Sequence, residues 1–384
     1  LTGTASEYIS ALRLVRSFGE ERQAEADLDR SSLDFARERV AQSYLNAIFG
    51  TFWYVSIQVI ALVVMAGGAL LAIRGTLSYG TLFAFVAGLP IVLGHEVVGT
   101  VRAAGERYAA LLGQKVLVPS VMPCGDCPFC RAGRGNACLK QKMPGNDING
   151  GFGTHLVAPG ASMVSLADAP ASVKTDSLSV VADAVSTAYQ AVQRSGLKAG
   201  DVAFVVGGGG VGGFTAQIAK ALGAKTIVCD VQEERLAGLA SLGIDHTCNV
   251  TGREAKDVRK ELHGKAKEWA IPSLGYKIFE CSGTAPGQTL AYTLLSNGAT
   301  LLVVGFTRDT VNVRLSNLMA FDATVHGSWG CPVEAYPAVL KLIYDGKVLL
   351  EPFIERAPMS KINQHMQALA EHKLAKRLVM DPRV

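Results

Sequence analysis

Lysine does not occur before Lys115 and cysteine does not occur before Cys124, although six arginines lie between Arg13 and Arg39. The front of the chain is drawn from a different residue repertoire than the rest, and a domain boundary is expected near residue 90. A large excess of charge is also missing. The net charge is +4 over 384 residues, with both signs throughout, so neither a nucleic-acid groove nor a polybasic membrane patch is implied. The phosphate-binding pattern G-x-x-x-x-G-K-[ST] is absent. Its nearest approach begins at Gly208 and places Phe214 where the lysine belongs, so P-loop ATP hydrolysis is excluded.

Charged residues are absent from 47–73, AIFGTFWYVSIQVIALVVMAGGALLAI. That run exceeds the roughly 20 apolar residues needed to cross a bilayer. Trp53 and Tyr54 lie near one end, where interfacial aromatics are common. A second apolar run, 81–93, is too short at about 13 residues to span alone. Residues 47–93 are therefore a candidate membrane segment. It is preceded in 5–45 by one or two long amphipathic helices, with Ile9, Leu12, Val15 and Phe18 at helical spacing.

What the later chain does contain is a dense cysteine lobe, PCGDCPFCRAGRGNAC. Cys124, Cys127, Cys130 and Cys138 are spaced C-x2-C-x2-C-x7-C. Four thiolates at such spacing suit a tetrahedral Zn2+, and a site closed by four sulfurs is structural because no position is left for substrate. Iron–sulfur clusters use a related but different spacing. Two disulfides are disfavoured, since Cys229, Cys248, Cys281 and Cys331 are scattered singly. Eight cysteines, half of them in a metal-like cluster, point to a reducing compartment, the cytosol by default.

Downstream, an apolar strand over 202–206 runs into Gly207-x-Gly209-Gly210-Val211-Gly212, then a helix, then a strand over 226–229 ending at Asp230. The glycines allow a tight turn and close approach to a pyrophosphate, which the helix N-terminus stabilises. Asp230 is placed to accept from ribose hydroxyls and to repel a 2′-phosphate, so NAD is favoured over NADP. Arg235 either touches the same ribose or meets a phosphate. Strands over 276–283 and 299–306, the second with Gly305 near its end, would line the carboxyl edge of a parallel sheet. Amphipathic helices around 333–344 and 361–371 close the chain.

Two resemblances follow from these residues. EYISALRLVRSFGEE (7–21) and GGALLAIRGTLSYGTLFAFVAGL (67–89) resemble the later membrane helices and intracellular arm of ABC exporters, without the ATPase half. LGHEVVGTV (93–101), the cysteine lobe and GGFGTHLVAP (150–159) are similar to the medium-chain zinc alcohol dehydrogenases. That resemblance implies an α/β fold, with a doubly wound Rossmann sheet and a GroES-like barrel truncated at its start. The expected domains are a helical segment 1–90, a GroES-like part 91–183 with the zinc lobe 124–138, an NAD-binding part 184–326, and a return to the first domain over 327–384.

The resemblance also implies roles for single residues. His95 would ligate a catalytic zinc and Glu96 would sit beside that ligand shell. Asp183 stands where the family has a thiolate ligand, and Thr187 where a hydroxyl contacts the nicotinamide. A helix-capping or solvated carboxylate is the alternative for Asp183. The family's first zinc-ligating cysteine, some thirty residues before the GHE motif, has no counterpart here. A weak or empty catalytic zinc site is therefore expected beside an intact structural zinc and NAD site.

Within the family, 142–152, 180–192 and 313–324 look closest to dehydrogenases of 6-hydroxycyclohex-1-ene-1-carbonyl-CoA, from anaerobic benzoyl-CoA breakdown. The implied reaction is oxidation of a secondary alcohol on a cyclic hydroxyacyl-CoA. Arg134, Lys140 and Lys142 are candidates for the coenzyme phosphates, or are solvated surface. A homodimer or homotetramer is implied. The other reading is an exporter-like membrane fragment joined to an inert NAD-binding remnant.

Overall fold

The structure, a computed structural model, describes residues 91–271, 275–371 and 373–382, together with scattered helical positions between Arg30 and Leu70. The chain divides into two units, Leu1–Pro90 and Ile91–Val384. The apolar runs at 47–73 and 81–93 lie mostly outside the described residues. Among those described, no helix is long and apolar enough to cross a membrane.

The second unit is built on a parallel sheet. VAFVV makes β4 (Val202–Val206), all five residues buried, because a central parallel strand is covered on both faces. Its neighbours are β5 (Lys225–Asp230) and β7 (Lys277–Glu280). The sheet is completed by β6 (His246–Asn249), β8 (Thr300–Val303) and β9 (Thr324–Gly327), in the order β6-β5-β4-β7-β8-β9. The order reverses between β4 and β7. The doubly wound sheet expected from the sequence is therefore present, with its switch point at the end of β4.

The period of two along β4 sorts the core onto two sides. Ala203 and Val205 join a cluster with Val185, Ala188 and Val192 of α2 (Ala184–Arg194), Phe214 and Ile218 of α3 (Gly210–Ala221), and Val339 and Ile343 of a later helix, Tyr336–Tyr344. Val202, Phe204 and Val206 face Val258 and Leu262 of α5 (Ala255–Glu268), with α4 (Glu233–Ser241) lying between α3 and α5 in sequence. Phe204 is fully buried and meets Tyr276 edge-on at 5.0 Å between ring centroids. The short helix α1 (Pro128–Arg131) lies earlier, within the cysteine lobe.

The GroES-like part is a three-stranded antiparallel sheet, β1 (Val97–Thr100), β2 (Lys115–Val118) and β3 (Val164–Ser165), with β2 in the centre. Among the described residues no strand pairs with the outer edge of β1 or β3. The C-terminal return adds β10 (Ile354–Pro358) and β11 (Arg377–Asp381), paired in parallel.

β1 starts at Val97, so His95 and Glu96 lie in the stretch that leads into it after Gly94, whose φ is +99°. β9 ends at Gly327, which pairs with Val303.

Candidate active site and metal centre

The cysteine lobe is shaped by its glycines and proline. Gly125 and Gly133 hold φ of +82° and +71°, which β-carbon-bearing residues rarely adopt. Pro128 opens α1 directly after Cys127. These turns gather all four sulfurs within 4.8 Å of one another. Cys127 Sγ lies 3.4 Å from Cys130 Sγ and 3.8 Å from Cys138 Sγ. The backbone N–H groups of Cys124 and Lys140 each donate to Cys138 Sγ at 3.3 Å. Hydrogen bonds from the backbone of Cys130 and Leu139 hold the Cys127 thiol down at about 6. Preformed N–H donors of this kind stabilise the thiolates that zinc requires, so the donor set fits Zn2+. The lobe is tied to the sheet domain by Asn136 Nδ2, which donates to the Trp329 carbonyl at 2.8 Å.

The second cluster forms where α2 begins. Asp183 immediately precedes that helix and its Oδ1 accepts from Thr187 Oγ1 at 3.0 Å and from Ser120 Oγ at 3.2 Å. Its Oδ2 lies 3.4 Å from His95 Nε2. Burial pushes the Asp183 carboxyl up, but the contacts with His95, Arg377 and Thr187 outweigh it and hold the group low. Hydrogen bonding to Asp183 raises His95. The structure brings His95, Asp183 and Thr187 together at this point.

Glu96 lies beside His95 and Asp183 and is held from two sides. Its Oε1 accepts the first N–H of α2, from Ala184, at 2.9 Å. Its Oε2 receives Arg377 Nη2 at 2.9 Å and Nε at 3.2 Å. Burial raises its carboxyl. Glu96 therefore caps α2 and pairs with an arginine from β11.

At the glycine turn, Gly208 N–H donates to Asp230 Oδ2 at 2.6 Å and Gln232 N–H to Oδ1 at 2.9 Å. Arg235 Nη1 stands 3.9 Å from Asp230 Oδ1. A Cβ at Gly212 would lie 1.7 Å from the Gly207 carbonyl oxygen, so only glycine lets α3 start this close to β4. A Cβ at Gly305 would fall 2.3 Å from Gly283 N, which packs the ends of β7 and β8 together. Gly209 precedes α3, and Gly210 and Val211 form its first turn, leaving N–H donors for an anion. This cradle fits a dinucleotide.

Sequence reasoning missed Arg377, Ser120 and Glu280. Arg377 lies against Gly210, where an added Cβ would come within 2.8 Å of its Cδ, placing a guanidinium at the N-terminus of α3. Ser120 is an isolated hydroxyl without sequence context. Glu280, fully buried, accepts from Ser282 N–H and Gly283 N–H at 2.8 and 3.0 Å and so shapes the turn after β7. His95, Glu96, Gly208, Gly209, Gly210, Arg235 and Arg377 all line one cleft of about 2100 Å³.

Three family profiles match. Residues 210–345 match zinc-binding dehydrogenase, and 62–168 match the alcohol dehydrogenase GroES-like domain. These two profiles together support the medium-chain zinc-dependent alcohol dehydrogenase family. Residues 1–95 match the ABC transporter transmembrane region. Among curated proteins, the chain is similar to L-galactonate-5-dehydrogenase of Escherichia coli (strain K12), 28% identical over 67% of this chain and 73% of that protein. It is also similar to sorbitol dehydrogenase of Bombyx mori, 28% identical over 79% and 85%. Among solved structures, the alcohol dehydrogenase of Aeropyrum pernix superposes with a TM-score of 0.67 at 25% identity, over 77% of this chain and 87% of that one. The profiles and these relatives indicate an oxidoreductase on CH–OH donors that uses NAD and contains Zn2+.

Proposed function

We propose that this dehydrogenase oxidises a secondary alcohol to a ketone, with the hydroxyl bound at His95 and Asp183. The observation that carries this is the opening of one cleft onto both His95 and the glycine turn beside Asp230. NAD+, when bound, accepts the hydride from the carbinol carbon. Asp230 would accept from the adenosine ribose hydroxyls, and Arg235 would lie over that ribose. The first turn of α3 and Arg377 would face the pyrophosphate. Thr187, already held by Asp183, would border the nicotinamide. Cys124, Cys127, Cys130 and Cys138 would hold the structural zinc.

For the substrate, the likeness of 142–152, 180–192 and 313–324 to hydroxyacyl-CoA dehydrogenases supports 6-hydroxycyclohex-1-ene-1-carbonyl-CoA. The test is NADH formation from that thioester against sorbitol, an aldonate and simple secondary alcohols, at equal concentration. Preference for a non-CoA alcohol refutes the thioester assignment and leaves the activity class standing. A homo-oligomer is supported by the sheet's last strand, β9, which has no further partner among the described residues, and by exposed Phe306, Leu315 and Met319 nearby in sequence. Light scattering at a single-chain mass would refute it.

A second reading is favoured by the transporter-like match over 1–95 and by the exposure of Ile48, Phe52 and Leu62. In it, an exporter-like fragment anchors an inert NAD-binding remnant to a membrane. NADH binding without turnover of any alcohol, together with pelleting on lipid vesicles, distinguishes it.

A further inference from the structure

We infer that each chain holds one zinc ion, in the cysteine lobe, and that the pair formed by His95 and Asp183 is not a tight zinc site. This deepens the activity reading and rests on it only for the location of the hydroxyl. A catalytic zinc takes three protein ligands and leaves a fourth position for water or substrate. At the start of α2 the chain offers His95 Nε2 and Asp183 Oδ2, already 3.4 Å apart.

No third donor completes the set. Glu96 points one oxygen at the Ala184 N–H and gives the other to Arg377, so ligation would break a helix cap and an ion pair together. Asp183 Oδ1 is engaged by Thr187 and Ser120. Among the described residues, the four cysteines are the one group of three or more metal-type side chains that converge. Residues 1–90 contain neither cysteine nor histidine, and no carboxylate follows Glu38 before Glu96. Residues 1–90 therefore supply no thiolate or imidazole ligand. Two donors of mixed type, both held in hydrogen bonds, do not meet the coordination that zinc requires.

The substrate hydroxyl would then be met by hydrogen-bonding side chains, and any turnover would resist a chelator that spares the cysteine lobe. The test is elemental analysis of the purified full-length chain after dialysis against a mild chelator. One zinc per chain is expected, unchanged in His95→Ala and absent in Cys127→Ser. Cobalt substitution should give the charge-transfer absorption of a single four-thiolate site. Two zinc ions per chain, with one lost in His95→Ala, overturns the inference, as does a zinc-free chain. NADH binding and alcohol turnover are read on the same samples. Failure of turnover at one zinc per chain removes the activity reading and leaves the metal count standing.

Discussion

Replacing Asp230 tests the cofactor site at a buried charged group. Both carboxylate oxygens are in use: Oδ2 receives Gly208 N–H at 2.6 Å and Oδ1 receives Gln232 N–H at 2.9 Å, and the residue is 6% exposed. Asp230→Ala removes a charged acceptor whose hydrogen bond to a ribose hydroxyl is worth about 1.5–3 kcal/mol. With tenfold in affinity for each 1.4 kcal/mol or so, the dissociation constant for NADH should rise about 10- to 150-fold, read by fluorescence titration. Part of that loss could come through the turn itself, since Gly208 N–H would be left without its acceptor. The two routes separate in the ratio of NADPH to NADH affinity. Loss of the turn weakens both cofactors alike. Loss of ribose recognition also relieves repulsion of the 2′-phosphate, so the ratio should shift at least tenfold toward NADPH. An unchanged NADH affinity, or an unchanged ratio, refutes the assignment of Asp230 to the ribose.

Gly212→Ala should cost about 3 kcal/mol or more in stability and abolish NADH binding, because its Cβ would stand 1.7 Å from the Gly207 carbonyl oxygen; a denaturation midpoint equal to wild type contradicts this. Cys127→Ser should release the lobe's zinc and lower the melting temperature, since metal affinity at such a site is coupled to folding; calorimetry with and without added zinc checks it. Arg356 bonds Glu351 and Asp176 and, with Ser177, pulls Glu351 down to about 2. A depressed carboxyl stabilises the fold above its unfolded pKa and loses that contribution as pH falls toward 2. Glu351→Gln should therefore reduce stability near neutrality by no more than about 1 kcal/mol for so exposed a pair, and the difference from wild type should vanish in urea titrations near pH 2.

What could be read from the sequence was whatever rests on local pattern. VAFVV, the glycine turn and Asp230 lie within one short βαβ unit, and the structure places the strand at Val202–Val206 as expected. The cysteine spacing closes on itself within one lobe. What escaped depends on contacts distant in sequence. β6 is the polar-looking HTCN, a strand because its backbone pairs with β5. β10 and β11 exist through each other. The place of Arg377 beside α3, 281 residues from its partner Glu96, has no local signature. The bond from Glu96 to the first N–H of α2 likewise joins residues 88 apart in sequence.

The region ahead of β1 poses a conflict that backbone chemistry can decide. Residues 62–95 are claimed by both the GroES-like profile and the transporter profile. A membrane helix satisfies its N–H groups internally, whereas a barrel strand needs a neighbour, so one stretch of backbone cannot do both. From Val97 onward the strand reading holds, because Val97–Thr100 pairs with Lys115–Val118. If the preceding residues supplied further barrel strands, N–H groups on the outer edge of β1 would be covered and exchange slowly. The transporter reading leaves that edge to water. Hydrogen exchange over Val97–Thr100 should therefore show alternation, with the N–H groups directed at β2 protected and those directed away exchanging at least a hundredfold faster. Uniform protection along the strand would mean that the barrel is closed by the segment before it, and the transporter assignment of residues 62–95 would fail.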